Sequence, residues 1–490
     1  MKFAAECAFG QIAPSTVNHS DTMPKLNRRS FIAAASAFAV APALGAVPSS
    51  GEVDVIIVGA GAAGIAAARR IAAAGKRFAL IEASDRIGGR CVTDTATFGV
   101  PFDRGAHWLY TPASNPLVRL ASATGLDLYE APRGQKLRVG PRAAREGELE
   151  DFLASVVRSS HAIREAARDK TDMSAARALP NNLSDWRQTV EFVLGPFHSS
   201  KDLPRVSALD FARSAERDRA NFCRQGLGSL LTKLAANLPI RRSTPVHSIE
   251  WIKGLTVETD KGTLRAQAVI VTVSTSVLSR GKLKFTPELP ERWRNAAAAL
   301  SLGSYDHIAL ELPGNPLGLQ ADDLVFEKSS SNRTGALLAR VSGTDLHVVS
   351  VGGDFGRDLS AQGRDTMVAF AGEWLASIFG SAIGTKIVRA AATQWDAEPW
   401  IMGASSAASV GNQDARRALM APLRERVWFA GEAVHETLYG TVGGAWESGT
   451  RAAEAVLRKI GAIKPSETEK RHLKREPRRR EHRPPRRRHK

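Results

Sequence analysis

The chain has 490 residues, 43% of them hydrophobic, and a formal net charge of +17. This length allows two or three domains with buried cores, and no apolar run after the first 50 residues is long enough to suggest a membrane span. The three cysteines, Cys7, Cys91 and Cys223, lack CxxC or related spacing, which argues against a disulfide framework and a metal site. We expect Cys91 and Cys223 to be buried thiols.

The stretch LNRRSFIAAASAFAVAPALGA, residues 26–46, combines a basic start, a short apolar run broken by Pro42 and several small residues. These features are typical of an export signal. The pair Arg28–Arg29 resembles the twin-arginine signal, which carries proteins that are already folded. We therefore predict a signal region over 1–46 and a periplasmic or secreted protein. The alternative is an apolar leader with a chance arginine pair.

The next segment, VDVIIVGAGAAGIAAARRIAAAG, has the pattern of a nucleotide-binding βα unit. Residues 53–58 form an apolar, β-branched run that predicts a strand buried in a parallel sheet, and a helix is predicted over 65–74. Between them, Gly59, Gly61 and Gly64 form GxGxxG, which allows a tight turn, backbone approach to a pyrophosphate and close helix packing. The helix N-terminus favours phosphate.

A second strand is predicted over 78–81, and it ends in Glu82, 18 residues after Gly64. This position suits an acid that accepts hydrogen bonds from an adenosine ribose. The alternative is a structural βαβ unit without ligand. The next residues, EASDRIGGR, bring Arg86 and Arg90 as charge-assisted phosphate donors and two glycines that permit close backbone approach.

Together with FDRGAHW at 102–108, these motifs resemble the flavin amine oxidase family. The resemblance continues through QGLGSLLTKLAANLPIRRSTPVHSIE and WFAGEAVHETLYGTVGGAWESGTRAAEAVL, so that it covers roughly 53–110, 224–313 and 394–457. It implies an α/β fold with a Rossmann-like, GR2-type FAD-binding domain and an inserted α+β substrate domain. The implied boundaries are 51–115, 221–285 and 390–463 for the FAD-binding domain, and 116–220 and 286–389 for the substrate domain.

By this resemblance FAD is the cofactor, and its binding residues come from the glycine loops, the FDRGAHW segment, one returning strand and the closing motif. They are Gly59, Gly61, Ala63, Gly64, Glu82, Ala83, Arg86, Gly89, Arg90, Gly105, Ala106, His107, Trp108, Val246, Gly431, Glu432, Thr441 and Val442. In the closing motif a predicted strand over 427–430 leads to Glu432, and a helix begins around 442–445. Its free N–H groups would favour negative charge on the reduced flavin.

The sequence departs from the family where substrate is bound. His307 stands where the family has a lysine that holds a water near the flavin, and Ser405 and Thr441 stand at two aromatic positions. Trp395 matches a family tryptophan, and Trp400, Tyr439 and Trp108 are candidates to replace the missing aromatic residues. We predict His307, Trp395 and Thr441 beside the reacting atoms. No cysteine occurs over 402–406, which excludes a thioether to FAD there.

The family implies oxidative deamination of a primary or secondary amine, polyamines included, with hydride transfer to flavin N5 and reduction of O2 to H2O2. The departure at His307 leaves open a dehydrogenase that uses an electron-carrier protein, or a desaturase. A third alternative is an exported, non-catalytic flavin-binding protein with a surface-binding tail.

The C-terminal residues 464–490 hold 13 Lys and Arg against four Glu, which is +9 of the total charge. Dense like charge with few apolar residues predicts a disordered tail. Such a tail can contact an anionic membrane weakly. We predict no specific nucleic-acid partner.

Overall fold

A computed structural model describes residues 51–169, 171–217 and 219–464. The predicted signal region, including Cys7 and the Arg28–Arg29 pair, and the basic tail from 465 onward lie outside the described residues. Within the described residues, no helix combines the length and apolar character needed to cross a membrane.

The first sheet has eight strands, and its central strand, Gly51–Val58, pairs in parallel on both sides. Continuous burial of residues 55–58 explains why this strand is apolar without alternation. In spatial order the strands are Ile240–Arg241, Phe78–Ile81, Gly51–Val58, Gly262–Val271, Thr256–Thr259, Val246–Glu250 and Lys284–Thr286, with Val427–Phe429 paired to Gly262–Val271.

The second sheet has seven strands and is built from the middle of the chain. In spatial order its strands are Arg389–Ala392, Tyr305–Glu311, Leu346–Gly352, Ala336–Leu338, Leu324–Glu327, Lys136–Val139 and Arg142–Ala143. The remaining strands form two small sheets. One pairs Thr93–Asp94 with Phe102–Asp103, and the other pairs Ala220–Cys223 with Leu109–Tyr110 and Leu128–Glu130.

The α-helices surround these sheets. They are Ala62–Ala72, Pro116–Ala123, Glu146–Ala166, Arg187–Phe192, Ala208–Arg213, Leu227–Ala235, Thr275–Ser279, Glu291–Ala299, Gly353–Ala361, Arg364–Phe379, Ala415–Met420 and Val442–Lys459. Shorter helical turns are Ala175–Ala178, Ser184–Trp186, Val193–Phe197, Leu203–Arg205, Val341–Gly343, Ser381–Lys386 and Glu432–Val434.

The helix Ala62–Ala72, which follows the first strand, packs closely against the last helix, Val442–Lys459. A Cβ added at Gly449 would lie 2.0 Å from the carbonyl oxygen of Ala63, so this crossing requires glycine. The alanine-rich face of the first helix allows the same close approach. The contact joins the two ends of the described chain in one core.

Two segments near the predicted domain boundaries pack as follows. The helix Pro116–Ala123 was predicted in the substrate domain, but its buried residues Leu117 and Ala121 belong to the core of the first sheet. The strand Arg389–Ala392 pairs with Tyr305–Glu311 in the second sheet, because its backbone completes that edge. The predicted domain boundaries stay predictions. Cys91 and Cys223 are free and buried, as predicted.

Candidate cofactor and active site

One large cavity extends from the loop after Gly51–Val58 to the strand Tyr305–Glu311 of the second sheet. All three predicted reaction-site residues, His307, Trp395 and Thr441, line it. The predicted cofactor residues that line it are Gly59, Gly61, Ala63, Glu82, Ala83, Arg86, Gly89, Arg90, Gly105, Ala106, His107, Trp108, Val246, Gly431, Glu432, Thr441 and Val442. Gly64 does not line the cavity.

The three glycines of the first loop serve different purposes. Gly59 has φ +102°, and a Cβ on Gly64 would lie 1.9 Å from the carbonyl oxygen of Gly59, so both are required by the turn and the helix packing. Gly61 has an ordinary φ of −77°, and a Cβ there would meet no protein atom closer than 4.0 Å. The protein itself therefore does not need glycine at 61. The absence of a side chain there leaves room for a ligand at the start of the helix Ala62–Ala72, which no side chain caps.

Glu82 lies at the end of its strand and is 9% exposed. One carboxylate oxygen accepts the N–H of Ala60 at 2.7 Å, and the other accepts both the N–H and the hydroxyl of Ser84, at 2.9 and 2.7 Å. The carboxylate thus fixes the glycine loop against the second strand. A carboxylate has about four acceptor positions, so one remains for a ribose hydroxyl.

Glu432 is buried, and its Oε1 accepts a hydrogen bond from Nη1 of Arg90 at 3.0 Å. The two residues are 342 positions apart in sequence. Its other oxygen accepts the hydroxyl of Ser406 and the N–H of Gly440. Burial alone would raise the pKa of Glu432, but the positive charges of Arg90 and Arg416 and the hydrogen bonds hold it below its ordinary value. Glu432 is therefore ionised and orients Arg90 at the cavity surface.

Arg86 donates to the carbonyl oxygen of Gly89 at 2.7 Å and lies 3.5 Å from Glu398. Its guanidinium also lies 5.7 Å from the ring centroid of Trp395. The indole N–H of Trp395 donates to the carbonyl oxygen of Arg104. These contacts place Arg86 and Trp395 side by side, which sequence spacing alone did not indicate.

Three polar residues connect the first domain to the second sheet. His107 contacts the carboxylate of Asp103 through Nδ1 at 2.8 Å, and the buried Nε2 of His107 has no partner among the described residues. Asp103 also accepts the N–H of Leu227, where the helix Leu227–Ala235 begins. The backbone oxygen of Asp103 lies 3.1 Å from Nδ1 of His307. A carbonyl oxygen can only accept, so this nitrogen of His307 carries the proton.

His307 is 8% exposed. Burial lowers its pKa to about 4, and the neighbouring His107 acts in the same direction, although the contacts with Asp103 oppose it. The ring is therefore neutral near pH 7, with Nδ1 protonated and Nε2 available as an acceptor. It is not a substitute for a lysine cation.

Thr441 caps the helix Val442–Lys459: its hydroxyl accepts the N–H of Gly444 at 3.0 Å and donates to the carbonyl oxygen of Leu438. This role was missed, although a threonine directly before a predicted helix is a recognisable capping signal. The cap leaves the first N–H groups of the helix at the cavity, where they favour negative charge.

The aromatic lining differs in part from the prediction. Trp108 and Trp400 line the cavity, and Trp108 stacks on Tyr110 with ring centroids 6.0 Å apart. Tyr439 does not line it, because its ring covers the guanidinium of Arg416 and its hydroxyl donates to the backbone of Asp210. Ser405, at one expected aromatic position, exchanges a hydrogen bond with Ser200.

Several lining residues were not predicted. They are Tyr110, Phe197, His198, Arg217 and Tyr305. Tyr305 precedes His307 by two residues on the strand Tyr305–Glu311 and so shares its face. Tyr110 and Phe197 end a two-residue strand and a short helical turn, which are too short to carry a periodic signal, and Arg217 lies in an irregular segment.

These features fit FAD. The space at Gly61 and the uncapped helix start suit a pyrophosphate, Glu82 retains an acceptor for a ribose, and Trp395 and His307 line the same cavity. Among the described residues there is no group of three or more His, Cys, Asp or Glu placed to hold a metal ion.

Comparison with known proteins agrees with this reading. The family described as flavin containing amine oxidoreductase matches residues 62–457. The mouse protein Lysine-specific histone demethylase 1B is 26% identical over 436 residues, which cover 82% of this chain and 52% of that protein. The rice Polyamine oxidase 4 is 26% identical over 444 residues, 83% of this chain and 89% of the relative. The chain spans about half the length of the demethylase relatives.

Solved structures share the fold. Cyclohexylamine oxidase from Brevibacterium oxydans superimposes with a TM-score of 0.72 at 20% identity, covering 84% of this chain and 99% of that chain. A putrescine oxidase bound to putrescine gives 0.71 at 22% identity, covering 83% and 99%. The Rossmann-like domain with an added substrate domain, predicted from the motifs, is confirmed at the level of the fold.

Proposed function

The chain belongs to the family of flavin-containing amine oxidoreductases and uses FAD, and on this premise we propose that it oxidises a primary or secondary amine to an imine, which water hydrolyses. The observation that carries the proposal is the single cavity that joins the glycine loop at Gly61 to His307 and Trp395, more than 240 residues away in sequence. FAD, when bound, supplies the acceptor for the hydride that leaves the carbon next to nitrogen.

The first domain binds the cofactor. Gly61 provides space, Glu82 provides a ribose acceptor, and the ion pair of Arg90 with Glu432 fixes a cation at the cavity surface. The capped helix start at Thr441 presents N–H groups to the same cavity. The chain already holds these groups in position, so little reorganisation of the protein is required when FAD binds.

The second sheet provides His307, whose Nδ1–H is fixed by the Asp103 carbonyl oxygen. Its Nε2 can accept a hydrogen bond from a water or from the N–H of a neutral amine. Because its pKa is about 4, this nitrogen does not hold a proton near pH 7. Around it, Trp108, Tyr110 and Tyr305 form an aromatic lining that excludes water from the reacting carbon.

A second candidate function is an amine dehydrogenase, or a desaturase, that passes electrons to a carrier rather than to O2. The observation in its favour is the neutral His307 at the position where the family has a lysine cation. Reduction of O2 develops negative charge, which a nearby cation stabilises and a neutral ring stabilises less.

Peroxide measurement separates the two functions. The purified protein is incubated in air with amines that include putrescine, a longer polyamine, cyclohexylamine and amino acids, and amine loss, H2O2 and carbonyl product are counted. Equal amounts of H2O2 and product support the oxidase. Product without H2O2, formed only when an artificial electron acceptor is added, supports the dehydrogenase. No product under either condition refutes amine oxidation.

We also propose that the protein is exported after FAD is bound, because the Arg28–Arg29 motif is of the type that carries folded proteins. Fractionation of cells that express the full chain, compared with an Arg28→Lys, Arg29→Lys double variant, tests this. Flavin-loaded protein in the periplasm or medium supports the proposal, and equal cytoplasmic retention of both proteins refutes it.

A further inference from the structure

The charged side chains that line the cavity differ in whether they already contact an opposite charge. Its acidic residues are Glu82, Glu398 and Glu432. Glu82 holds the glycine loop, Glu398 lies beside Arg86, and Glu432 pairs with Arg90. None of these carboxylates is left for an ammonium group near His307.

The basic residues of the lining are Arg86, Arg90, Arg217 and Lys282. Lys282 is exposed and follows the helix Thr275–Ser279 of the first domain. Arg217 is half-buried and lines the part of the cavity that Tyr110, Phe197 and Tyr305 also line. Among the described residues it is the only charged side chain of this aromatic part.

Arg217 is held in place by two backbone carbonyl oxygens and a tyrosine ring, and no described acid neutralises it. Nη1 donates to the carbonyl oxygen of His198 at 3.0 Å, Nη2 donates to that of Tyr439 at 2.7 Å, and the guanidinium lies 5.3 Å from the ring centroid of Tyr110. It forms no ion pair with a described residue. A guanidinium has five N–H groups, so three remain for a ligand.

Arg416 shows the contrast. All five of its N–H groups are used, two of them by the carboxylate of Asp210. Arg416 is thus a structural arginine that is fully satisfied and paired with an acid. Arg217 is neither, and it lies at the cavity.

His198, whose carbonyl oxygen accepts a hydrogen bond from Arg217, also contributes to the aromatic part of the cavity. Nε2 of His198 is buried and has no hydrogen-bond partner among the described residues. Burial lowers the pKa of His198 well below its ordinary value, and the charges of Arg217 and Arg164 act in the same direction. Among the described residues, the aromatic part of the cavity therefore holds one cation, neutral histidines and an unsatisfied polar atom.

We propose that Arg217 binds the carboxylate of the substrate, so that the enzyme acts on amino acids rather than on polyamines. This inference rests on the proposed function. A carboxylate receives two parallel N–H groups from a guanidinium, whereas a second ammonium group would be repelled by Arg217. The aromatic residues Tyr110, Phe197 and Tyr305 suit an apolar or aromatic remainder.

The reaction balances with this substrate. The carbon next to nitrogen loses a hydride and the nitrogen loses a proton, which forms C=N. Water then releases ammonia and leaves an oxo acid. O2, or another two-electron acceptor, takes up the two electrons and two protons.

The test compares an amino acid with the amine that lacks only its carboxylate, for example phenylalanine with phenethylamine. The flavin-loaded wild type is compared with Arg217→Gln and Arg217→Lys. The control is Arg219→Gln, which changes an exposed arginine two residues away that pairs with Glu130. FAD content and melting temperature are measured for every variant.

We expect wild type to prefer phenylalanine. Arg217→Gln should lower kcat/KM for phenylalanine about 10- to 100-fold, the value of a charged hydrogen bond, mainly through KM. The loss for phenethylamine should be much smaller than the loss for phenylalanine, Arg217→Lys should give an intermediate loss, and Arg219→Gln should behave as wild type. An equal loss for both substrates in Arg217→Gln would overturn the proposal, since it would indicate a structural role.

Binding of phenylacetate, a carboxylate that cannot be oxidised, provides a readout apart from turnover. It is followed by the change in flavin absorbance, and we expect about 10- to 100-fold weaker binding to Arg217→Gln. Tight phenylacetate binding that Arg217→Gln does not weaken refutes the role of Arg217 even if amines are oxidised. If phenylacetate binding depends on Arg217 but no amine or amino acid reacts, the carboxylate site stands and amine oxidation fails.

Discussion

Replacing His307 by asparagine removes one titrating ring from the cavity and keeps a side-chain N–H for the carbonyl oxygen of Asp103. The pKa of His307 is about 4 in the folded protein, against an ordinary value of 6.5. Between these values the unfolded chain binds a proton that the folded protein does not. The stability contributed by the neutral ring is therefore present in full above pH 6.5 and is lost as the pH falls towards 4.

The gap between the two pKa values corresponds to about 3 kcal/mol, of which about 2 kcal/mol is lost between roughly pH 7 and pH 5. The free energy of unfolding is measured by urea titration of wild type and His307→Asn at both pH values. Other buried groups titrate in both proteins and cancel in the difference. The groups that face the ring are Asp103 and His107, and neither is altered.

We expect the free energy of unfolding of wild type to fall by about 2 kcal/mol more than that of His307→Asn when the pH is lowered from roughly 7 to 5. Equal losses in wild type and His307→Asn would refute the reasoning, since His307 would then titrate as it does in the unfolded chain.

Two pairs of substitutions separate cofactor contacts from folding contacts. Gly61→Ala should reduce FAD content at nearly unchanged stability of the apoprotein, because its Cβ enters open space, whereas Gly64→Ala should lower the melting temperature through its clash with Gly59; the same melting temperature for both variants would contradict this. Glu82→Ala should release FAD, since the glycine loop loses its anchor, whereas Ser84→Ala, which removes one hydroxyl contact, should retain most of it. FAD retained at wild-type affinity in Glu82→Ala would exclude the ribose contact.

Much of the first domain could be predicted from sequence, because its short sequence motifs indicate the same strands, turns and helices that its core packing requires. The buried strand Gly51–Val58, the glycine loop and Glu82 form one continuous motif in which each residue has a separate physical reason. The last helix, Val442–Lys459, could be predicted equally well. Its apolar residues lie on one face, and its glycines allow the close crossing with the helix Ala62–Ala72.

The second half of the site was less predictable because its residues meet only in three dimensions. The pair Arg90–Glu432 spans 342 positions, and no local pattern indicates that the two charges meet. Arg217 lies in an irregular segment, and its proposed role depends on its having no ion pair with a described residue, which no sequence pattern reveals. Thr441 was found for its place in the family motif, but its capping role depends on where the helix begins.

The central claim is that the cavity between the two sheets is a flavin site that oxidises amines. The most direct measurement is the visible spectrum of the purified, flavin-loaded protein after anaerobic addition of amines and amino acids. We predict loss of the oxidised-flavin absorbance with at least one of them, fastest with an amino acid that has an apolar side chain. An unchanged spectrum with every compound, in folded protein with full FAD content, would contradict the claim.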